Sequence, residues 1–307
     1  MPAVLPDFYK IQQDKTSVPE WAKYMTEGEF ISYSVSYHAK TLLDLFDEYT
    51  YNSPDIGDMT YYLYDPIKHG GDPHKKYPVL MWLHGTSNAL DGVNCIMCCG
   101  AEQYASEKYQ QEMGGAYIIV PLANEKRLES GEIQGSWNKN YSPVLKGIYD
   151  KVITEHRENT GKKFVMGASS GGYMTWHLLE DHPGFFEGAM PISSGYIPDS
   201  DSLDMISKSG IHLLIAHGRY DELAGFDECV APSLEKLESL DNCICFFPKW
   251  VYNGDGGIAS VHYGIEMGQH CMINWVQSNL IFDNGSPADE RLPKGVTGWI
   301  RSVCGSD

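Results

Sequence analysis

One short segment of the sequence has the pattern of a serine nucleophile. Ser169 stands in GASSGG (167–172), between the apolar run KFVMGA (163–168), which predicts a strand, and a helical pattern that begins near Ser170. A G-x-S-x-G run in this strand–turn–helix context indicates a sharp, strained turn that exposes the serine hydroxyl. We therefore predict that Ser169 is a nucleophile; a Gly/Ser-rich loop without chemistry is the alternative.

A serine hydroxyl needs a base, and the base needs an acid that orients it. Candidates for both follow in the expected chain order. Asp221 comes shortly after the apolar run IHLLIAHG (211–218), where α/β sheets place site residues, and Glu222 is the second candidate. His270 directly precedes the predicted closing helix and is our candidate base, with His262 as the alternative. Asp221 and His270 complete the predicted triad.

A tetrahedral oxyanion needs hydrogen-bond donors, and backbone amides are rigid, uncharged donors. We expect one donor to be the amide of Ser170, the residue after the nucleophile. The second is expected from the loop after the run YPVLMWLHG (77–85), where Gly85 permits a turn that points the amide of Thr86 inward. The predicted oxyanion hole therefore consists of Thr86 and Ser170.

These candidates follow short apolar runs that alternate with helical patterns along the chain, which predicts a βαβ sheet. Two earlier segments alternate apolar and polar residues, which is typical of antiparallel strands at the edge of a sheet. We predict an α/β fold with a mostly parallel central sheet, flanking helices and antiparallel N-terminal edge strands. The predicted strands are 29–38, 59–66, 77–85, 116–123, 163–168, 186–194, 211–218 and 243–251, and the predicted helices are 142–163, one from Ser170, and 271–282.

The sequence contains no repeat, low-complexity tract or linker, so we expect one α/β domain over residues 29–283. Two regions fit the sheet poorly. Residues 1–28 form a predicted N-terminal extension, and residues 284–307 form a predicted C-terminal tail packed on the domain. A lid, a contact in a homo-oligomer and a cover for a sheet edge are the roles left open for both regions.

The net charge of −18 and the pI of about 4.9 indicate a surface that repels nucleic acid and anionic membranes. No apolar run reaches the length of about eighteen residues that a membrane helix requires. The N-terminus, MPAVLPDFYKIQQDK, lacks the pattern of a secretory signal. We expect a cytoplasmic protein without a nucleic-acid or membrane partner; a signal peptide removed beforehand is the alternative left open.

Eight cysteines are few for 307 residues, and we interpret them as reduced thiols rather than as a disulfide framework. The run Cys95-x-x-Cys98-Cys99 would need a second pair of ligands to complete a structural zinc site. Cys243 and Cys245 are too closely spaced for that purpose, so buried free thiols are the favoured interpretation. We therefore expect no metal and no organic cofactor.

With these segments in view, the chain resembles the α/β-hydrolase superfamily, and within it the serine esterases related to feruloyl esterases, polyhydroxybutyrate depolymerases and prolyl-oligopeptidase-like hydrolases. The resemblance implies hydrolysis of carboxylic esters through a Ser-His-Asp triad and an acyl-enzyme intermediate. It covers the chain from about residue 60 to residue 282. The segments that carry it are L-H-G at 83–85, G-A-S-S-G-G at 167–172, H-G-R-Y-D-E at 217–222 and G-Q-H at 268–270.

Aromatic residues in the predicted loops indicate the class of substrate. Trp137 matches a position where related esterases place an aromatic side chain along the substrate cleft. Tyr141 and Tyr220 lie in further predicted loops, and rings at such places stack on planar groups. We expect a small-molecule ester with a short or aromatic acyl group as the substrate. Ordinary packing of these rings on the sheet is the alternative.

Three other functions use or adapt the same fold. A prolyl-oligopeptidase-like peptidase would carry a large N-terminal propeller, for which this chain has no room. Acyl transfer to an acceptor other than water needs the same triad and stays open. A binding domain that has lost its triad is disfavoured, because candidates for nucleophile, acid and base are all present.

Overall fold

The structure is a computed structural model that describes residues 42–86, 88–98, 100–124, 126–131, 133–134, 136–252 and 269–305. Three predicted features lie outside the described residues: the N-terminal extension 1–28, the edge strand 29–38 and His262. The strands of the described part are β1 (Asp47–Ser53), β2 (Gly57–Tyr64), β3 (Tyr77–Leu83), β4 (Tyr117–Pro121), β5 (Lys126–Arg127), β6 (Ile133–Gln134), β7 (Thr160–Ala168), β8 (Gly188–Ile192), β9 (His212–Ala216) and β10 (Cys243–Phe246).

Eight strands of the described part form one sheet in the order β1-β2-β4-β3-β7-β8-β9-β10. β1 is antiparallel to β2, and β2 is antiparallel to β4. From β4 across to β10 every neighbouring pair is parallel. β5 and β6 make a short separate hairpin. The predicted α/β fold, with antiparallel N-terminal strands beside a mostly parallel sheet, is confirmed.

Helices cover both faces of this sheet because its central strands are apolar on both sides. In β3, Leu80 and Trp82 face one core cluster, whereas Val79, Met81 and Leu83 face the other. None of the helices in the described part is long and apolar enough to cross a membrane. The helices are α1 (Cys95–Cys98), α2 (Ala101–Tyr104), α3 (Glu107–Met113), α4 (Ser142–Glu155), α5 (Ser170–Asp181), α6 (Ser200–Lys208), α7 (Phe226–Cys229), α8 (Leu234–Glu238), α9 (Met272–Gln277) and α10 (Gly295–Val303).

The helix predicted over 142–163 is shorter in the structure. α4 ends at Glu155, and β7 begins at Thr160, three residues before its predicted start. Thr160 pairs with Tyr77 of β3, and the amide of Tyr77 donates to the carbonyl of Asn159 at 2.7 Å. Pairing with β3 therefore makes residues 160–162 part of a strand, although helical spacing alone predicts that they belong to the helix.

Two further elements are shorter than predicted. β10 ends at Phe246 instead of reaching residue 251, and Pro248, which has no N–H for a ladder, follows two residues later. α9 ends at Gln277 instead of residue 282, because Asn279 and Leu280 adopt φ values of 62° and 54° that no α-helix accommodates.

The described part of the C-terminal tail packs against the sheet through α10. The Trp299 ring meets Phe164 of β7 edge-on, with ring centroids 5.8 Å apart. Asn279 fastens the start of the helix: its side-chain amide donates to the Thr297 hydroxyl at 2.9 Å, and its side-chain oxygen accepts from the Thr297 amide at 2.8 Å. The tail thus closes one of the two core clusters.

Candidate active site

Ser169 occupies the turn between β7 and α5 in a conformation that is rare for a side-chain-bearing residue. Its φ is 56° and its ψ is −116°. Such a backbone costs about 1–3 kcal/mol and persists only where surrounding contacts fix it. Those contacts are the Ser169 amide, which donates to the Ile192 carbonyl at 2.8 Å, and the Ser169 carbonyl, which accepts from the Tyr173 amide at 3.0 Å. The side chain is half-buried at the carboxyl end of β7.

The glycines around Ser169 are required by backbones that approach them closely. A Cβ atom on Gly171 would lie 2.2 Å from the carbonyl oxygen of Leu83, the last residue of β3. A Cβ on Gly172 would lie 2.7 Å from the carbonyl oxygen of Ile192, the last residue of β8. Both distances are far below contact between real atoms, so only glycine fits at these positions. The turn is consequently packed between the ends of β3 and β8, the two strands that flank β7.

Asp221 and His270 form a close pair at the same edge of the sheet. Nδ1 of His270 lies 2.9 Å from each carboxylate oxygen of Asp221. The Asp221 side chain is fully buried, and the His270 side chain is 11% exposed. β7 and β9 are parallel and separated by β8 alone, so the loops that carry Ser169 and Asp221 leave the same edge. The Ser169 hydroxyl makes no hydrogen bond with any described residue, His270 included.

Backbone amides hold the Asp221 carboxylate in place. Oδ1 accepts from the amide of Leu223 at 2.9 Å and from the amide of Ala224 at 2.7 Å. Burial of the carboxyl opposes its ionisation, but the hydrogen bonds from His270 and from these amides outweigh burial and keep the pKa of Asp221 below its usual value. Asp221 is therefore an aspartate near neutral pH, which fixes Nδ1 of His270 as the protonated nitrogen.

The backbone around His270 is held by two further side chains. Oε2 of Glu222 accepts from the His270 amide at 3.1 Å. Gln269 exchanges two hydrogen bonds with the backbone of Val251, at 2.7 Å and 3.3 Å. Glu222, our second candidate for the acid, thus contacts the histidine through its main chain, whereas Asp221 contacts its ring.

His84 organises the loop after β3, a role that sequence reasoning missed. The ring is fully buried. Its Nε2 accepts from the amide of Ala123 at 3.1 Å, so its Nδ1 carries the proton and donates to the carbonyl of Gly85 at 2.7 Å. Burial lowers the pKa of His84 to about 4, which keeps the ring neutral. Its position directly before Gly85 in L-H-G is the signal that could have identified it.

The two amides predicted as oxyanion donors lie at the ends of neighbouring strands. Thr86 follows β3 and is exposed, and Ser170 begins α5 directly after the turn at the end of β7. The first amides of a helix have no acceptor within the helix. The Thr86 amide likewise has no hydrogen-bond acceptor among the described residues. Both donors are therefore available to an external oxygen.

Trp137 and Tyr141 are buried beneath the loop after β3. The indole N–H of Trp137 donates to the carbonyl of His84 at 2.9 Å, and the two rings lie 4.8 Å apart. The Tyr141 hydroxyl accepts from the amide of Asn124 at 3.0 Å. Their polar atoms are thus engaged by the backbone, and their exposed fractions are 5% and 4%. These contacts correspond to the packing alternative rather than to the predicted direct contact with substrate.

Tyr220 has the opposite environment. It is 48% exposed and stacks on Trp250 with ring centroids 4.2 Å apart and an interplanar angle of 27°. Leu223, on the same loop, is 60% exposed. We call Tyr220 and Trp250 the aromatic shelf. Tyr220 directly precedes Asp221 in the sequence. Trp250 directly precedes Val251, whose amide donates to the side chain of Gln269, the residue before His270.

The cysteines of the described part form no metal cluster. The Cys95 side chain is buried, and neither the Cys98 side chain nor Cys99 belongs to the described part of the structure. Sγ of Cys243 lies 3.8 Å from Sγ of Cys245 on β10. No group of three or more His, Cys, Asp or Glu residues within the described ranges is arranged to hold a metal ion.

Comparison with known proteins places the chain in a family. The model of the Esterase family, described as "Putative esterase", matches residues 56–223. No curated protein matches the sequence. Among solved structures, a thermostable esterase is 19% identical with a TM-score of 0.59 over 77% of this chain and 61% of that one. A feruloyl esterase module from Clostridium thermocellum, complexed with sinapinate, is 17% identical with a TM-score of 0.51, covering 76% and 86%.

A ferulic acid esterase is 13% identical, with a TM-score of 0.50 over 84% of this chain and 97% of that one. At such identities these likenesses show a shared fold. The chain spans 61% of the length of the thermostable esterase. The family model, by contrast, matches more than half of the 307 residues and includes the turn at Ser169 and the loop at Asp221. The chain belongs to the Esterase family of ester-hydrolysing enzymes, as its resemblance to α/β-hydrolases predicted.

Proposed function

We propose that this protein hydrolyses carboxylic esters with short or aromatic acyl groups, using Ser169 as nucleophile, His270 as general base and Asp221 as the acid that orients the base. The observation that carries the proposal is the contact between Nδ1 of His270 and both oxygens of Asp221. In the neutral ring this contact places the proton on Nδ1, so Nε2 is the nitrogen that can accept the serine proton.

The reaction then proceeds in two stages, acylation of Ser169 and hydrolysis of the acyl-enzyme. Nε2 of His270 takes the proton of Ser169 as Oγ forms a bond to the ester carbonyl carbon. The tetrahedral intermediate collapses, the bond to the alcohol oxygen breaks, and His270 returns the proton to that oxygen. Water repeats the sequence on the acyl-enzyme and releases the carboxylic acid and free serine. The missing contact between Ser169 and His270 is compatible with this role, because such bonds often tighten only when substrate is bound.

The amides of Thr86 and Ser170 are proposed to bind the oxyanion. They lack acceptors among the described residues and flank the nucleophile on adjoining strand ends. Each donor of this kind is worth about 100- to 1,000-fold in kcat in a comparable serine hydrolase. His84 supports the Thr86 side by holding the carbonyl of Gly85.

The aromatic shelf supports the proposed substrate class. Tyr220 and Trp250 offer a stacked pair of rings next to the acid loop, and exposed flat rings bind planar or ring-shaped groups. The net charge of −18 opposes approach to an anionic lipid surface, which favours small soluble esters over lipid aggregates. Sinapinate, the ligand of the feruloyl esterase module, suggests a first aromatic acid whose esters should be tried.

The nucleophile is tested by Ser169→Ala with Ser200→Ala, an exposed serine of α6, as the matched control. With a p-nitrophenyl ester we expect turnover to fall by several powers of ten in the first variant and to stay at the wild-type level in the second. Labelling by a fluorophosphonate should disappear in Ser169→Ala alone. A tenth or more of the wild-type turnover in that variant would refute the proposal.

The substrate class is tested by turnover of a panel of acetate, sinapate or ferulate, octanoate and palmitate esters. We expect the acetate and the aromatic esters to be cleaved fastest. Tyr220→Ala should raise KM for the aromatic ester several-fold and leave KM for the acetate unchanged, because acetate is too small to reach both rings. Fastest cleavage of palmitate, or an equal effect of the variant on both esters, would overturn the substrate assignment.

A further inference from the structure

A second histidine, His217, also contacts the loop that carries Asp221. We propose that His217 is a positioning residue that fixes the carboxylate of Asp221 in its aim at His270, by holding the carbonyl of Ala224 in the same loop. The inference rests on the proposed function, since it concerns the geometry of that triad.

The position of His217 is unusual for a histidine outside the reacting groups. It directly follows β9 and its side chain is 2% exposed. Its Nε2 lies 2.7 Å from the carbonyl oxygen of Ala224 and 3.5 Å from Oδ2 of Asp221. The shorter contact is a strong hydrogen bond, whereas the longer one is beyond good hydrogen-bond distance. His217 therefore lies next to the Asp221 carboxylate but donates its hydrogen bond to the carbonyl of Ala224.

The chemistry of the Ala224 contact fixes the tautomer of His217. A carbonyl oxygen can only accept, so Nε2 of His217 must carry a proton. Burial lowers the pKa of His217, although the carbonyl of Ala224 and the charge of Asp221 act in the opposite direction. The ring is neutral near neutral pH and holds one N–H, which Ala224 uses. The carboxylate of Asp221 therefore accepts its hydrogen bonds from His270 and from the amides of Leu223 and Ala224.

Ala224 links the two residues through both of its backbone groups. Its amide donates to Oδ1 of Asp221 at 2.7 Å, and its carbonyl accepts from His217. One hydrogen bond thus joins Ala224 to the Asp221 carboxylate within the loop 221–224, and a second joins Ala224 to the buried ring of His217. Without the bond to His217, the two backbone donors to the carboxylate, the amides of Leu223 and Ala224, would move together with the loop that carries it.

The surroundings of His217 allow a clean test. The titratable groups that act on its ring are Asp221 on its own loop and His270 on the loop before α9. Phe226 of α7 meets the ring edge-on at 6.0 Å, and the Arg219 guanidinium covers the Phe226 ring at 4.7 Å. An aromatic replacement can keep the Phe226 contact and lose only the hydrogen bond.

The test compares His217→Phe, which has no donor, with His217→Gln, whose side-chain amide can donate to Ala224. His212→Gln, at the start of the same strand, is the matched control. We expect kcat of His217→Phe to fall by about 100-fold with KM little changed, since a misplacement of about 1 Å can cost this much. The acidic limb of its kcat/KM profile should move to lower pH, because a misaligned carboxylate stabilises the protonated base less. His217→Gln should recover most of the activity.

A purely structural role would lower the melting temperature of His217→Phe but leave kcat and the pH profile of the folded enzyme at wild-type values, and this result would overturn the proposal. So would a loss in His217→Gln equal to that in His217→Phe. Ser169→Ala separates the two hypotheses: if it stays active, the proposed triad fails, and if it is dead while His217→Phe is fully active, only the positioning role fails.

A measurement on the wild-type protein decides the matter if His217→Phe does not fold. NMR of isotope-labelled histidines reports which ring nitrogen carries the proton. We expect His217 as the Nε2–H tautomer with a slowly exchanging ring proton near neutral pH. An Nδ1–H tautomer would be incompatible with the hydrogen bond to Ala224 and would refute the proposal.

Discussion

Asp221 and Glu222 are consecutive acids that bind two different parts of one histidine. Asp221 accepts from the ring of His270 at 2.9 Å, while Glu222 accepts from the His270 backbone amide at 3.1 Å. The ring contact controls which nitrogen is protonated, whereas the backbone contact controls only where the loop lies. This division makes the two acids separable by mutation.

Asp221→Asn should lower kcat by about four powers of ten, because an amide can favour the wrong tautomer of the base. Glu222→Gln keeps an acceptor for the His270 amide and should retain most of the activity. Steady-state kinetics on one p-nitrophenyl ester compares the two variants directly. A larger loss in Glu222→Gln than in Asp221→Asn would exchange the roles of the two acids.

His270→Ala should remove nearly all turnover, since a triad base contributes several powers of ten to kcat. His262→Ala should have a much milder effect, because the Asp221 carboxylate is occupied by His270. Circular dichroism of both variants controls for folding. The reverse ranking of activities would assign the base to His262.

Gly171→Ala should prevent formation of a stable, active enzyme. Its Cβ would meet the Leu83 carbonyl oxygen at 2.2 Å, and backbone of a central strand cannot move aside. We expect the free energy of unfolding to fall by more than about 4 kcal/mol. Gly195→Ala is the control: it has no atom within 4 Å of the added Cβ and should melt like the wild type. Equal melting temperatures for both variants would contradict this packing of the turn.

Glu102 of α2 is a buried acid outside the proposed triad. It is fully buried, Oε1 accepts from the side-chain amide of Gln277 at 3.3 Å, and Oε2 has no hydrogen-bond partner among the described residues. Burial raises the pKa of Glu102 to about 8, against smaller lowering effects of its hydrogen bonds. Near neutral pH the folded protein therefore holds a proton that the unfolded chain has lost.

The sign of the resulting pH dependence follows from this difference. Between the ordinary glutamate pKa of 4.5, which applies to the unfolded chain, and the folded pKa of about 8, the folded state binds one more proton at Glu102. This group's contribution to stability is complete below pH 4.5 and falls by up to about 1.4 kcal/mol per pH unit as pH rises through this window. Glu102→Gln cannot ionise, so its melting temperature relative to wild type should rise between pH 5 and pH 8. A constant difference would show that Glu102 is not protonated in the fold.

Much of this site could be predicted from the sequence because its residues follow buried strands. Runs such as 77–85 and 211–218 are apolar throughout most of their length, and parallel order brings their carboxyl ends together. Ser169 and Asp221 could be proposed on that basis, and His270 from its place directly before the predicted closing helix; the structure pairs Asp221 and His270 directly.

What could not be predicted depends on partners outside the segment itself. β1 (Asp47–Ser53, DEYTYNS) is polar and largely exposed, so no apolar pattern marks it, and only its pairing with β2 makes it a strand. Trp137 is an aromatic residue in a predicted cleft loop, yet it packs under the loop after β3, where its indole N–H donates to the carbonyl of His84. Trp137 and His84 are 53 residues apart in the sequence, and local spacing carries no record of such a contact.

The close approach of Gly171 to Leu83 has a consequence for how such a protein can diverge in evolution. It fastens the turn that carries Ser169 to the strand that leads to Thr86, while Tyr220 and Trp250 follow strands on the far side of β8. Changes in the shelf therefore leave the fastened pair undisturbed. In evolution, substitutions at Tyr220 and Trp250 would then change the esters that this proposed esterase binds, while the packing that holds the Ser169 turn beside the end of β3 is retained.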